Sequence, residues 1–200
     1  MSAVQPLSAK LSRLKSAVSL ATSKSVLVVE DSRAVRELLC GYLRQIGGFG
    51  IEVAGTLAEA RQLLEHDPER FFCAALDLNL PDAPDGEVVD YVLSRSVPAI
   101  VLTGSAENAV RERMMAKNIV DYVVKQNSYE IEHVAYLIGR LRENRATKIL
   151  VVDDSRSFRA YLVSLLERYF FHVLEAGNGR EALAVLEEHP DVTLVITDIN

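Results

Sequence analysis

Five side chains in the first two-thirds of the chain could do chemistry together: the acidic pair Glu30-Asp31, then Asp77, Thr103 and Lys125. Each lies at the end of a short apolar run, so each is expected at the end of a strand. Three carboxylates, one hydroxyl and one ammonium would then meet on one rim. Carboxylates a few ångströms apart repel one another, and without a counter-charge at least one pKa would rise. A hard divalent cation is the natural remedy. Mg2+ takes about six oxygens in octahedral array, commonly one or two carboxylates with waters and phosphate oxygens. Asp31 and Asp77 can supply carboxylates, and the backbone carbonyl of Asn79 is near enough in sequence to add a third ligand. Such a set suits phosphoryl transfer, which needs in-line positioning and charge neutralisation more than covalent assistance. A metal and one lysine supply both.

Taken singly, each residue has an ordinary explanation. Asp31 and Ser32 precede a helix and could serve only as its N-cap. Asp77 could be a plain strand-end carboxylate, Lys125 a solvated charge, Thr103-Gly104 a strand-to-helix turn and Tyr122 a packing residue. Their conjunction at successive strand ends, in order, favours a site.

The elements that must position them read as a doubly wound α/β fold. The runs Ser25–Val29, Ala74–Leu76, Ala99–Leu102 and Asp121–Val124 are almost continuously apolar, as a parallel sheet covered on both faces requires. Amphipathic segments between them supply the crossovers, the last presenting Ile131, Val134, Ala135, Ile138 and Leu141 on one face. Ligands of such sheets bind beyond the carboxyl ends of the strands.

The chain also repeats itself. Val26-Leu-Val-Val-Glu-Asp-Ser-Arg33 returns as Ile149-Leu-Val-Val-Asp-Asp-Ser-Arg156, an offset of 123. The helical face Val35, Leu38, Leu39, Tyr42, Leu43 and Ile46 returns as Phe158, Tyr161, Leu162, Leu165, Leu166 and Tyr169. Ala74-Ala-Leu-Asp77 returns as Val195-Ile-Thr-Asp198, the offset having drifted only to 121. Two copies of one domain are the simplest account. The second offers Asp153, Asp154 and Asp198, with the backbone of Asn200 as a further ligand, and is truncated after its third strand. The expected divisions are a tail at 1–24, a first domain at 25–144, a linker at 145–147 and half of a second domain at 148–200.

On these residues the sequence resembles the receiver domain of two-component response regulators, fully over 25–144 and as a first half over 148–200. The resemblance implies a flavodoxin-like, five-stranded parallel sheet and a site that binds Mg2+. By it, Asp77 is the phosphoacceptor nucleophile (with Asp198 its counterpart), Asp31 a direct metal ligand and Glu30 an outer carboxylate ordering metal-bound water. Thr103 would donate its hydroxyl to a phosphoryl oxygen, Lys125 would pair with the phosphoryl charge, and Tyr122 would be an aromatic switch. Gly104 would leave room for the incoming group. Two departures stand out. Gln126 replaces the family's usual proline after the lysine, and Leu80–Gly86 carries an extra residue, which bears on the third helix more than on the pocket.

Composition agrees with a soluble globular chain, about half apolar and a quarter charged. A net charge of −6 argues against a general nucleic-acid binder, and no apolar run approaches the roughly 20 residues of a membrane span. Cys40 and Cys73 read as reduced core thiols of a cytoplasmic protein. The first 24 residues hold Lys10, Arg13, Lys15 and Lys24 and no acid, leaving about −10 on the rest. They read either as a frayed tail or as a short amphipathic helix docking on a partner or on a second copy. The leading expectation is a tandem-receiver signalling protein, phosphorylated by a histidine kinase or phosphotransfer protein, with a diguanylate cyclase as one expected output. The alternative is a non-phosphorylated pseudo-receiver acting by homodimerisation or protein interaction. A nucleotide enzyme is disfavoured, because the turn after the first strand holds no glycine to cradle phosphates.

Overall fold

The computed structural model describes residues 24–198. The reading of the N-terminal tail, and that of Asn200 as a ligand, lie outside the described residues. Within them the chain forms two consecutive α/β units. The first comprises β1 (Ser25–Val29), α1 (Arg33–Ile46), β2 (Gly50–Ala54), α2 (Leu57–His66), β3 (Phe71–Leu76), α3 (Glu87–Ser94), β4 (Ala99–Thr103), α4 (Asn108–Met115), β5 (Asp121–Val124) and α5 (Ser128–Asn144). Its strands are all parallel in the order β2-β1-β3-β4-β5.

Period-two alternation along the strands feeds two cores. Leu27, Val29 and Leu76 pack with Leu64 of α2, Val88 of α3 and Met114 of α4. Val26, Val28 and Ile100 point the other way, onto Leu39 and Leu43 of α1 and Val134 and Ile138 of α5. All six residues of β3 and all five of β4 are buried, which explains why both are apolar up to Thr103 at the end of β4. Strand β3 begins at Phe71 rather than Ala74, and a register shift beside Ser25/Val26 leaves one extra residue, Phe72, near its start. The α5 face expected from the sequence is buried throughout. The third helix does form, over eight residues, and is entered through Gly86 in the left-handed region at φ 80°.

The second unit comprises β6 (Lys148–Val152), α6 (Arg156–Arg168), β7 (His172–Ala176), α7 (Gly179–Glu188) and β8 (Val192–Thr197), with parallel strands in the order β7-β6-β8. That is the order β2-β1-β3 again. Its α6 repeats the apolar pattern of α1 but buries none of its residues, and Phe158 and Tyr161 are exposed. The reason is visible in the first unit, where α5 covers α1; no helix covers α6 among the described residues.

The units meet at a knuckle after α6. The Asn144 amide donates to the Tyr169 carbonyl at 2.9 Å, and the Tyr169 hydroxyl donates to Asp121 Oδ2 at 3.2 Å. Phe170 meets Phe72 edge-on at 5.5 Å, and the Arg145 guanidinium lies within 5 Å of both ring centroids. Phe170 adopts φ 69°, a left-handed conformation costly for a side chain. The position 123 residues earlier is Gly47 at φ 71°, where that conformation carries no Cβ penalty. Tertiary contact therefore holds a phenylalanine where local preference would place glycine.

Candidate functional site

The site is built by strand ends. The Asp77 N–H donates to the Val29 carbonyl at 2.8 Å, so β1 and β3 end side by side and present Glu30 and Asp77 together. The Lys125 N–H donates to the Thr103 carbonyl at 2.7 Å, which does the same for β4 and β5. Carboxylate oxygens of Glu30, Asp31 and Asp77 lie within 4.8 Å of one another. Glu30 and Asp77 are buried, whereas Asp31 is exposed.

Lys125 Nζ sits between the two buried carboxylates, 2.9 Å from Glu30 Oε2 and 2.8 Å from Asp77 Oδ2. The remaining oxygens are also used: Glu30 Oε1 accepts from the Ser32 N–H at 3.2 Å, and Asp77 Oδ1 from the Asn79 N–H at 3.3 Å. Burial pushes the Glu30 carboxyl above its ordinary value, the Lys125 hydrogen bond and charge offset part of that, and the Asp77 charge adds to it. Burial alone would lower the Lys125 ammonium, but its bonds to Asp77 and Glu30 outweigh burial and raise it. This donor set of hard oxygens around a partly neutralised pocket fits a divalent cation such as Mg2+.

Thr103 is fully buried, and its Oγ1 accepts from the Ser105 N–H at 3.2 Å. Tyr122 points inward, its hydroxyl donating to the Ser105 carbonyl at 2.9 Å, and burial pushes its pKa up. A Cβ at Gly104 would meet nothing within 4 Å, and a cleft of about 440 Å³ opens beside Asn79, Gly104 and Ser105.

The sequence reading brought Glu30, Asp31, Asp77 and Lys125 together, and so does the structure. It missed two contributors, Ser105 and Arg36. Ser105 ties both Thr103 and Tyr122 to one loop. Arg36 Nη1 donates to the Glu30 carbonyl at 2.8 Å, and Arg159 repeats that contact on Asp153; this pair was legible in the repeat at the offset of 123. Ser32 stands at the N-cap of α1 without a side-chain cap bond, so capping does not account for it, whereas Ser155 does cap α6.

In the second unit the Asp198 N–H donates to the Val152 carbonyl at 3.1 Å, as Asp77 does to Val29. Asp153 is buried and accepts from the Ser155 N–H at 2.8 Å, and Asp154 is exposed. Among the described residues, the converging acidic group is that of Glu30, Asp31 and Asp77.

Comparison with known proteins agrees with this geometry. The response regulator receiver domain model matches residues 26–134. The chain is 29% identical over 183 residues to the transcriptional regulatory protein GltR of Pseudomonas aeruginosa, across 87% of this chain and 74% of that protein. It is 28% identical over 107 residues to the phosphate regulon regulator PhoB of Escherichia coli, spanning 52% of this chain and 45% of PhoB. A solved two-component system response regulator/GGDEF domain protein superposes with a TM-score of 0.81 at 37% identity, across 86% of this chain and 69% of that one. No helix among the described residues is long and apolar enough to cross a membrane. The chain belongs to the response regulator receiver domain family, whose members carry phosphorylation-dependent signals in two-component systems.

Proposed function

We propose that residues 25–144 form a phosphoacceptor domain in which Asp77 takes a phosphoryl group from a histidine kinase or phosphotransfer protein. The observation that carries this reading is the Lys125 bridge between two buried carboxylates beside a third. Mg2+ would be held by Asp31, Asp77 and the Asn79 carbonyl, with Glu30 behind them. When bound it supplies positive charge to the phosphoryl oxygens. An Asp77 oxygen attacks the phosphorus of the phosphohistidine and forms a P–O bond. The P–N bond breaks, and its electron pair stays on the imidazole nitrogen, which takes up a proton. Lys125 turns to the new phosphoryl charge, Thr103 donates to one of its oxygens, and Tyr122 reports the change through Ser105.

We infer further that residues 148–198 are the first half of a second such domain, joined through 145–147, with Asp153, Asp154 and Asp198 as its acidic set. The repeated strand order and the repeated Arg159–Asp153 contact support this. The 37% identity to a response regulator/GGDEF protein supports a cyclase of the GGDEF type as the output of the whole protein. Incubation with Mg2+ and acetyl phosphate tests the first domain. Intact-mass measurement should find one phosphoryl group lost on Asp77→Asn substitution. An Asp77→Asn protein labelled and responding like the wild type would sink the phosphoacceptor reading and favour a pseudo-receiver that works by interaction alone.

A further inference from the structure

We propose that Asp82 is a positioning residue for the metal site, acting as a tether between the loop that carries Asn79 and the start of α2. This rests on the reading of the Glu30–Asp31–Asp77 pocket as a Mg2+ site. After Asp77 the chain makes a tight turn in which Leu80 and Ala83 face each other, with Leu80 N–H to Ala83 carbonyl at 3.3 Å and the reverse at 3.1 Å. Leu80 and Ala83 are buried, and Pro81 and Asp82 stand exposed at the tip. The Asp82 carboxylate then grips a neighbouring helix with both oxygens: Oδ1 accepts from the Leu57 N–H at 2.8 Å and Oδ2 from the Ala58 N–H at 2.9 Å.

Helix N-termini leave their first N–H groups without partners inside the helix. In α2 the third is taken by its own cap, Thr56 Oγ1 accepting from Glu59 at 3.1 Å. The first two are satisfied from 24 and 25 residues away. A carboxylate also favours the positive end of the helix dipole, and the two backbone bonds draw the Asp82 pKa down. Asp82 therefore supplies what the local cap leaves open, and it does so from the loop that carries Asn79.

Sheet order gives the tether its meaning. The strands run β2-β1-β3, so a link from the loop after β3 to the helix after β2 reaches past β1, whose end carries Glu30 and Asp31. The segment from Asp77 to Asp82 is fixed at one end by the Asn79 N–H on Asp77 Oδ1, and at the other by the Leu80–Ala83 bridge, whose tip the α2 contact holds. The Asn79 carbonyl lies on the short stretch between these anchors. Untethering the tip removes the bridge's outer support and so loosens the placement of that carbonyl, while changing no ligand atom. Groups that orient metal ligands typically cost about 10- to 100-fold in metal affinity when removed.

The test is calorimetric titration of the full chain with Mg2+, paired with thermal melting. Asp82→Ala should weaken Mg2+ binding about tenfold, and Asp82→Asn, which keeps one acceptor oxygen, should fall between it and the wild type. Thr56→Ala removes the cap of the same helix from the other side; it should lower the melting temperature while leaving Mg2+ affinity unchanged. Equal Mg2+ affinity in Asp82→Ala and wild type, or an equal loss in Thr56→Ala, would overturn the tether. If Asp77→Asn also leaves Mg2+ binding unchanged, the metal-site reading itself fails; if Asp77→Asn abolishes binding, only the tether does.

Discussion

Replacing Lys125 by methionine removes the ammonium and keeps most of the stem. The Glu30 and Asp77 side chains it bridges are 3% and 5% exposed, so neither can recover water's solvation in place of the lost partner. Breaking a buried pair by deleting one member typically costs about 3–5 kcal/mol. The lower end applies here. Glu30 is already held above its ordinary value by burial, and it would take up a proton rather than remain charged and unpaired. A loss of about 3 kcal/mol corresponds to a fall of roughly 6–12 °C in melting temperature for a chain of this size. Mg2+ should then act as a substitute counter-charge. Mg2+ should stabilise the wild type too, but it should bind the variant's pocket more tightly because Lys125 no longer competes for Asp77. Each tenfold in affinity narrows the gap by about 1.4 kcal/mol, so the gap should shrink when EDTA is replaced by saturating Mg2+. Melting curves in both buffers read this directly. A variant that melts with the wild type in EDTA, or a gap that Mg2+ leaves untouched, would refute the reasoning.

Tyr122→Phe keeps the buried ring and deletes only the bond to the Ser105 carbonyl; a loss of about 1 kcal/mol should appear with faster amide exchange at Ser105 and Glu107 than elsewhere. Gly86→Ala places a Cβ 3.1 Å from Leu78 Cδ2 at φ 80°, and urea denaturation should show a loss of about 1 kcal/mol or more. Phe170→Gly sets two effects against each other. Glycine relieves about 1–2 kcal/mol of left-handed strain, while the half-buried ring gives up its contacts with Phe72 and Arg145, worth about 2–3 kcal/mol in scale with core truncations. A net loss of about 1 kcal/mol is expected, and a more stable variant would show that the inter-unit contact does not hold the residue in place.

Much of the site was legible because the first unit's central strands are covered on both faces. That makes them apolar runs, and it makes the first polar residue after each run a rim residue: Glu30 and Asp77 follow from the pattern alone, and Lys125 ends the shorter apolar run of the edge strand β5. The knuckle was not legible. Tyr169 matched the inward-facing Ile46 of α1 by periodicity, yet its hydroxyl reaches Asp121 of the other unit. Phe170 has no local reason to be left-handed. Asp82 drew no reading from the sequence, because its partners, Leu57 and Ala58, are distant in sequence and become neighbours only once the sheet order is known. The exposure of α6 was likewise hidden, since an apolar stripe records what a helix would bury and not whether a covering helix is at hand.

The Asp121 carboxylate faces two ways. One oxygen accepts the N–H of Tyr122 at 2.7 Å, and the other takes the Tyr169 hydroxyl. With only residues 145–147 between α5 and β6, there is little slack in which a small displacement could be lost. The two sheets are geared together. A shift of β5 would have to stretch the Tyr169 bond, drag the knuckle or turn the second sheet, and Arg145, packed against both Phe72 and Phe170 beside their edge-on contact, adds to what holds the knuckle. The strand that bears the inward tyrosine is thus also the strand to which the neighbouring unit is bonded.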